Sequence, residues 1–477
     1  MSDALLVRID AWIDAHREEL IGDLIRLINV RSVSESSNDP ENPFGQGCAD
    51  ALTLALEMGQ EKGLYAEDYL GYVGRLSLSE GSADLGIWAH LDVVPEADHW
   101  IYEPYDAIYH EGYVIGRGAA DNKGPLIAAL YLLWLIKELE IPFRKNLALY
   151  LGTNEEAGMA DLIFYNANGY QMPRISLVPD CAFPLCHAEK GIIEVKLSAM
   201  HAFSPSVLGL QGGLATNVVP DSAQIAIAYD ESLLPKLDAL PQEISYEIEE
   251  DAVLFTAHGI TGHTAFPQGS QNAIGLLCEA ILKAELLPPS DLDLLYFISR
   301  INEDVYGTAL HIDCSDEISG RLTAVGSVLR LNGEHCAELT VNIRYPVKAS
   351  SEKLIASINT ACAQNRFRME LLKDSHPAFV PATTPFVLEI MEEYKAFTGD
   401  DSKPYSMAGG TYARRLPNAV GFGMGWQNLP QPPFLPAGHG GAHAPDEAVE
   451  IDGLLRAMKL YARVLLRLNA PDSAAKE

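Results

Sequence analysis

Over the first 180 residues short apolar runs alternate with stretches of helical periodicity, a pattern that predicts a sheet covered by helices. Residues 85–89, 147–151 and 175–178 read as buried strands. Each runs at once into polar or acidic residues: His90-Leu91-Asp92, Thr153-Asn154-Glu155-Glu156 and Asp180. Ligands in open α/β sheets bind beyond the carboxyl ends of the strands, so these loops are expected to converge on one site. A fourth loop, residues 116–125, leads into an apolar helix over 126–138, with Pro125 suited to its first turn. The first 30 residues read as an amphipathic helix.

From about Gly191 the pattern becomes strands at 192–197, 223–229 and 339–345, with helices near 272–286 and 352–363. Stretches 222–238 and 336–363 share a strand-then-helix rhythm, a hint of duplication. After about residue 380 a helix over 385–398, a glycine turn at 408–410 and an apolar strand at 419–423 bring back the alternation of the first 180 residues. The expected fold is therefore α/β: a catalytic domain with a mostly parallel central sheet, interrupted by an inserted α+β domain. The expected boundaries are 1–186, 187–381 and 382–477.

The length of 477 residues suits such a division, and 48% hydrophobic residues exclude wholesale disorder. A formal charge of −31 repels phosphate backbones and anionic lipid heads, so neither nucleic acid nor membrane is expected as a partner. Seven cysteines without a C-x-x-C pair suggest neither a disulfide framework nor a zinc ribbon. The N-terminal segment carries charges throughout, unlike the apolar centre of a signal peptide, and the expected location is the cytoplasm.

His90, Asp121, Glu156, Asp180 and His443 offer the imidazole and carboxylate donors that borderline divalent ions accept. Five protein ligands exceed what one catalytic metal needs; with one bridging carboxylate they suit two ions roughly 3.5–4 Å apart. Asp92, two residues after His90 on an extended segment, is placed to accept the other ring N–H. Glu155 and Glu156 divide into one proton carrier and one ligand. His439 has a poorer sequence context than His443, and Arg117 and Lys123 receive no role.

At these residues the chain resembles the co-catalytic metallopeptidase family of aminoacylases, glutamate carboxypeptidases and dipeptidases, closest to its bacterial dipeptidase branch of the PepV and Sapep type. The resemblance spans nearly the whole chain, in His90-Leu91-Asp92-Val93-Val94-Pro95, Asp121-Asn122-Lys123-Gly124, Gly152-Thr153-Asn154-Glu155-Glu156, Val178-Pro179-Asp180, His263-Thr264-Ala265-Phe266-Pro267, Gly409-Gly410-Thr411 and His443-Ala444-Pro445-Asp446-Glu447. It implies that His90 and Asp180 hold one metal, Glu156 and His443 the other, and Asp121 bridges them. It further implies Glu155 as general base and acid, Asp92 as the partner of His90, and a cis Asp121–Asn122 bond. The inserted domain would act as a lid. In it Asn217 and Arg344 would bind substrate, Arg344 through a C-terminal carboxylate, and His263 would donate to the oxyanion. Backbone N–H groups at Gly409 and Gly410 would also contact substrate.

The activity so implied is a dinuclear metal-dependent dipeptidase acting on short peptides with a free C-terminal carboxylate, through a water between the metals activated by Glu155. The alternatives are an N-acyl-amino-acid amidohydrolase with the same chemistry, and a catalytically silent metal- or peptide-binding protein. Two divalent ions per subunit are expected, zinc first, with manganese or cobalt as alternatives. The long lid favours a monomer over a dimer.

Overall fold

The computed structural model describes residues 3–40, 42–237, 240–427 and 432–470. The chain divides into two compact units: Met1–His187 with Phe379–Tyr405 and Gly410–Glu477, and Ala188–Ala378 with Ser406–Gly409. Residues 406–409, which a boundary at 382 assigns to the first unit, cluster with the second.

The first unit is built on a nine-stranded sheet. Its centre is four parallel strands in the order Leu147–Gly152, Leu85–His90, Ile175–Val178 and Ala419–Gly421. The first two are buried at all six positions, as strands covered on both faces must be. The sheet is mixed rather than mostly parallel. Tyr65–Tyr69 and Val73–Ser77 form a hairpin whose turn uses left-handed Leu70 and Gly71, and a two-strand hairpin can pair only antiparallel. Helix Lys123–Glu138 starts three residues before the apolar run and is buried almost throughout. The N-terminal stretch is two helices, Asp3–Ala15 and Arg17–Ile28. They part at His16, whose ring stacks on Trp12 at 3.8 Å with Nδ1 2.8 Å from the Trp12 carbonyl. The last helix, Ile451–Leu468, packs its apolar face into the same core.

The second unit carries an eight-stranded sheet that is antiparallel throughout. Buried and less buried positions alternate along Gly191–Ala199 and Ser222–Ala228, the period of a sheet covered on one face. Strands Val207–Gly212 and Thr323–Leu331 join two four-stranded halves through only two residue pairs, Gln211 with Arg330 and Gly212 with Leu329. The two stretches of similar rhythm fall one in each half. Helices Ala273–Lys283, Pro289–Ile301 and Ser351–Gln364 pack against the sheet. Among the described residues no helix is long and apolar enough to cross a membrane.

Candidate functional site

The carboxyl ends of the parallel strands bring the expected donors of the first unit together. His90 is the last residue of its strand and 1% exposed. Its Nε2 lies 3.0 Å from Asp121 Oδ1 and 3.9 Å from Asp180 Oδ2. Asp121 turns its other oxygen to His443, 3.2 Å from Nε2, and that same nitrogen is 2.8 Å from Glu156 Oε1. Ligand atoms of His90, Glu155 and Asp180 lie within 4.8 Å of one another, as do those of His90, Asp121 and Glu156. His443 and not His439 stands with the carboxylates.

One expected contact is different. His90 Nδ1 meets the main-chain carbonyl of Asp92 at 2.8 Å, while the Asp92 carboxylate stands 3.6 Å away. That carboxylate, fully buried, accepts the N–H groups of Glu155 and Glu156 at 3.0 Å each. Asp92 therefore holds the two glutamates in place as well as orienting the imidazole. Two backbone donors converging on one loop outcompete a ring nitrogen that has a carbonyl of its own.

The loops are tied by buried groups to which the sequence alone assigns no role. Glu447, fully buried, accepts from Ala120 and Asp121 N–H on one oxygen (both 2.9 Å) and from Gly118 N–H (3.0 Å) and Arg117 Nη1 (2.7 Å) on the other. Arg117 also reaches the carbonyls of His443 and Ala444 at 3.4 and 3.3 Å, so one ion pair joins the Asp121 and His443 loops. Asn122 donates to the Pro179 carbonyl at 2.9 Å, beside Asp180, and the Asp121–Asn122 peptide is cis. Lys123 is fully buried and donates to the carbonyls of Leu27 and Val30 at the end of a helix; burial lowers its pKa to about 7. Asp161 accepts from Thr153 and Asn154 N–H and from the Tyr412 hydroxyl. A Cβ at Gly152 would fall 1.7 Å from that hydroxyl, so only glycine fits there. Asp446 accepts from Ile101 and Tyr102 N–H, and its other oxygen lies 2.5 Å from His439 Nδ1. The only sequence signal for these roles is charge inside apolar or glycine-rich context.

Burial and the neighbouring Asp180 push the Glu155 carboxyl well above its usual range. Burial also penalises a charged Asp121, but hydrogen bonds from His443 and His90 outweigh this and hold it well below. His443, between Asp121 and Glu156, is raised to about 11. Without a cation the imidazoles thus keep protons that offset the carboxylates. Such protons occupy positions that a divalent ion takes when it binds. The donor set fits two borderline ions, and Glu155 Oε1 is buried with no hydrogen-bond partner beside it.

The remaining expected residues belong to the second unit. Exposed His263 pairs with exposed Val218, next to exposed Asn217, in a two-residue ladder. Thr264 N–H donates to the Asn217 carbonyl at 3.0 Å. His263 Nδ1 accepts from Ala265 N–H at 3.1 Å, so the neutral ring carries its proton on Nε2. Arg344 is 7% exposed; its Nε donates to Asn342 Oδ1, which also accepts from Thr264, and its Nη1 donates to the Ala408 carbonyl at 3.1 Å. Gly409 closes the 406–409 segment of this unit, and Gly410 resumes the first. A Cβ at Gly410 would lie 2.2 Å from the Arg414 guanidinium.

An imidazole and carboxylate cluster at the carboxyl ends of a central sheet, with a buried carboxyl of raised pKa beside it, defines a metal-dependent hydrolase. Residues 86–467 match the model of Peptidase family M20/M25/M40, and the chain belongs to that family. It is 34% identical to YtjP of Bacillus subtilis (strain 168), over 95% of this chain and 97% of that protein. It is 28% identical to the Beta-Ala-Xaa dipeptidase of Lactobacillus delbrueckii subsp. lactis, over 96% and 97% of the two chains. Its fold matches that of the Saccharomyces cerevisiae di-peptidase Dug1p with a TM-score of 0.60 at 16% identity, over 98% and 99% of the two chains.

Proposed function

We propose that this chain is a dinuclear metal-dependent dipeptidase acting on short peptides with a free C-terminal carboxylate. In this reading His90 and Asp180 hold one cation, Glu156 and His443 the other, and Asp121 bridges them. The supporting observation is that Asp121 turns one oxygen to each imidazole, 3.0 Å to His90 and 3.2 Å to His443. Zinc is the first choice of ion, with manganese or cobalt as alternatives.

When bound, the cations lower the pKa of water and polarise the scissile carbonyl. Glu155 takes the proton of the attacking water and hands it to the leaving amine, a task suited to a carboxyl whose pKa burial raises. Asp92 fixes Glu155 and Glu156 through their backbone N–H groups. His263, with its proton on Nε2, donates to the oxyanion. Arg344 grips the substrate carboxylate, Asn217 and the backbone at Gly409 and Gly410 complete the grip, and the second unit acts as lid. The protein acts in the cytoplasm as a monomer, a state that light scattering tests directly.

The deciding experiment assays dipeptides against their N-acetylated forms on chelated protein reloaded with single metals. Dipeptide hydrolysis that needs metal and a free amine supports the reading. Preference for N-acetyl amino acids replaces it with an amidohydrolase, and metal binding without hydrolysis replaces it with a silent binder.

A further inference from the structure

A cavity of about 240 Å³ in the second unit is lined by Lys190, Phe266, Tyr306, Arg321, Met407 and Ala408, among others. It shares its wall with the residues assigned to substrate. The Ala408 carbonyl accepts from Arg344, and Ala265, another lining residue, donates its N–H to His263. If Arg344 holds a substrate's C-terminal carboxylate, as proposed above, the side chain of that residue would lie next to this cavity.

The charge of the wall runs against that of the molecule. In a chain of net charge −31, the lining holds two cations and no carboxylate among the described residues. Lys190 is 8% exposed and anchored twice: its backbone N–H donates to the Met407 carbonyl at 2.9 Å and its Nζ to the Arg321 carbonyl at 2.5 Å. Arg321 stacks 3.5 Å from the Tyr306 ring centre and is held by both oxygens of Asp313. Asp316 acts on Lys190 electrostatically, but its oxygens accept the N–H groups of Ile318, Ser319 and Lys348. Phe266 and Met407 add apolar surface suited to methylenes.

We propose that this cavity receives the side chain of the substrate's C-terminal residue and selects acidic side chains, glutamate above all, over basic ones. The proposal rests on the dipeptidase reading, because it needs Arg344 on the substrate carboxylate. Lys190 and Arg321 are then residues that determine specificity.

The test is steady-state kinetics with Ala-Glu, Ala-Gln and Ala-Lys on wild type, Lys190→Met and Arg321→Gln. Wild type is expected to favour Ala-Glu over Ala-Lys in kcat/KM by about tenfold or more, the ratio worth one partly desolvated charge contact. The Ala-Glu to Ala-Gln ratio should fall toward one in Lys190→Met and part of the way in Arg321→Gln. The ratio is the informative quantity, since a variant that only loosens the fold lowers all three substrates together. Equal wild-type use of Ala-Glu and Ala-Lys, or a ratio unmoved in both variants, overturns the cavity's role with dipeptide hydrolysis intact. Absence of hydrolysis of any dipeptide by the metal-loaded wild type overturns the dipeptidase reading itself, and the cavity's role with it.

Discussion

His90 is 1% exposed, at the end of a strand buried along its whole length, whereas His263 is exposed, at the end of a two-residue ladder. Around His90 the loops 117–121 and 153–156 are tied by buried carboxylates that take several hydrogen bonds each, Asp92, Asp161 and Glu447, and the Asp180 loop by Asn122. Around His263 the ties include Thr264 to Asn342, Arg344 to Asn342 and Ala408, and the Ala265 N–H to the His263 ring. The difference suits the two tasks proposed for these residues. Ion ligands must be held to fractions of an ångström against their own repulsion; hydrogen bonds to the loops that carry them do this, including for His443, whose side chain is half exposed and whose carbonyl meets Arg117. Of the side chains proposed to meet substrate, His263 and Asn217 are exposed, whereas Arg344 is 7% exposed and held by Asn342 and Ala408.

Substitutions on the two sides should therefore read out differently. The largest effect is expected for Glu155→Gln. Turnover should fall about 10³-fold, within the span of general acid and base catalysis, while metal content measured by mass spectrometry stays at two ions. Turnover within tenfold of wild type would remove Glu155 from the proton path. On the exposed side, His263→Ala should lower kcat about 10²-fold, the loss typical of one oxyanion donor, again with full metal content. A variant that lost metal would erase the contrast between the two regions.

A third measurement addresses the imidazole and carboxylate cluster alone. His443 is raised to about 11 without a cation, so at neutral pH an arriving ion displaces protons. Metal affinity should rise with pH by about tenfold per unit for each proton displaced, and fall as pH falls. Calorimetry in buffers of different ionisation enthalpy counts the protons released; a count of zero would contradict the ligand assignment. The smallest effect is expected for Arg344→Lys. It keeps the charge but loses the planar fork, and should raise KM about fivefold at nearly constant kcat.

The ligand loops are legible in the sequence because strands with continuous apolar runs end abruptly in donors, and a parallel core aligns such ends by geometry alone. His443 is legible only through its motif, since it lies far along the chain from the other donors. Glu447, Asp161 and Lys123 are not legible, because a charged residue in a loop looks the same in sequence whether it is solvated or buried with four partners. The antiparallel strands 207–212, 244–248, 252–258 and 367–375 escape notice for a related reason. Two of them, 244–248 and 367–375, are the edge strands of their sheet and expose most of their positions, so they carry little apolar signal.

The α/β and α+β patterning, the donor types and their order are written along the chain, since period and residue chemistry are local properties. Packing set the rest: Asp92 serves the glutamates before His90, and Arg117 with Glu447 joins the Asp121 and His443 loops. It also decided that residues 406–409 pack with the second unit. These outcomes depend on which of several competing donors and acceptors come within hydrogen-bonding distance. Segments hundreds of residues apart settle that distance by packing, which no local pattern records.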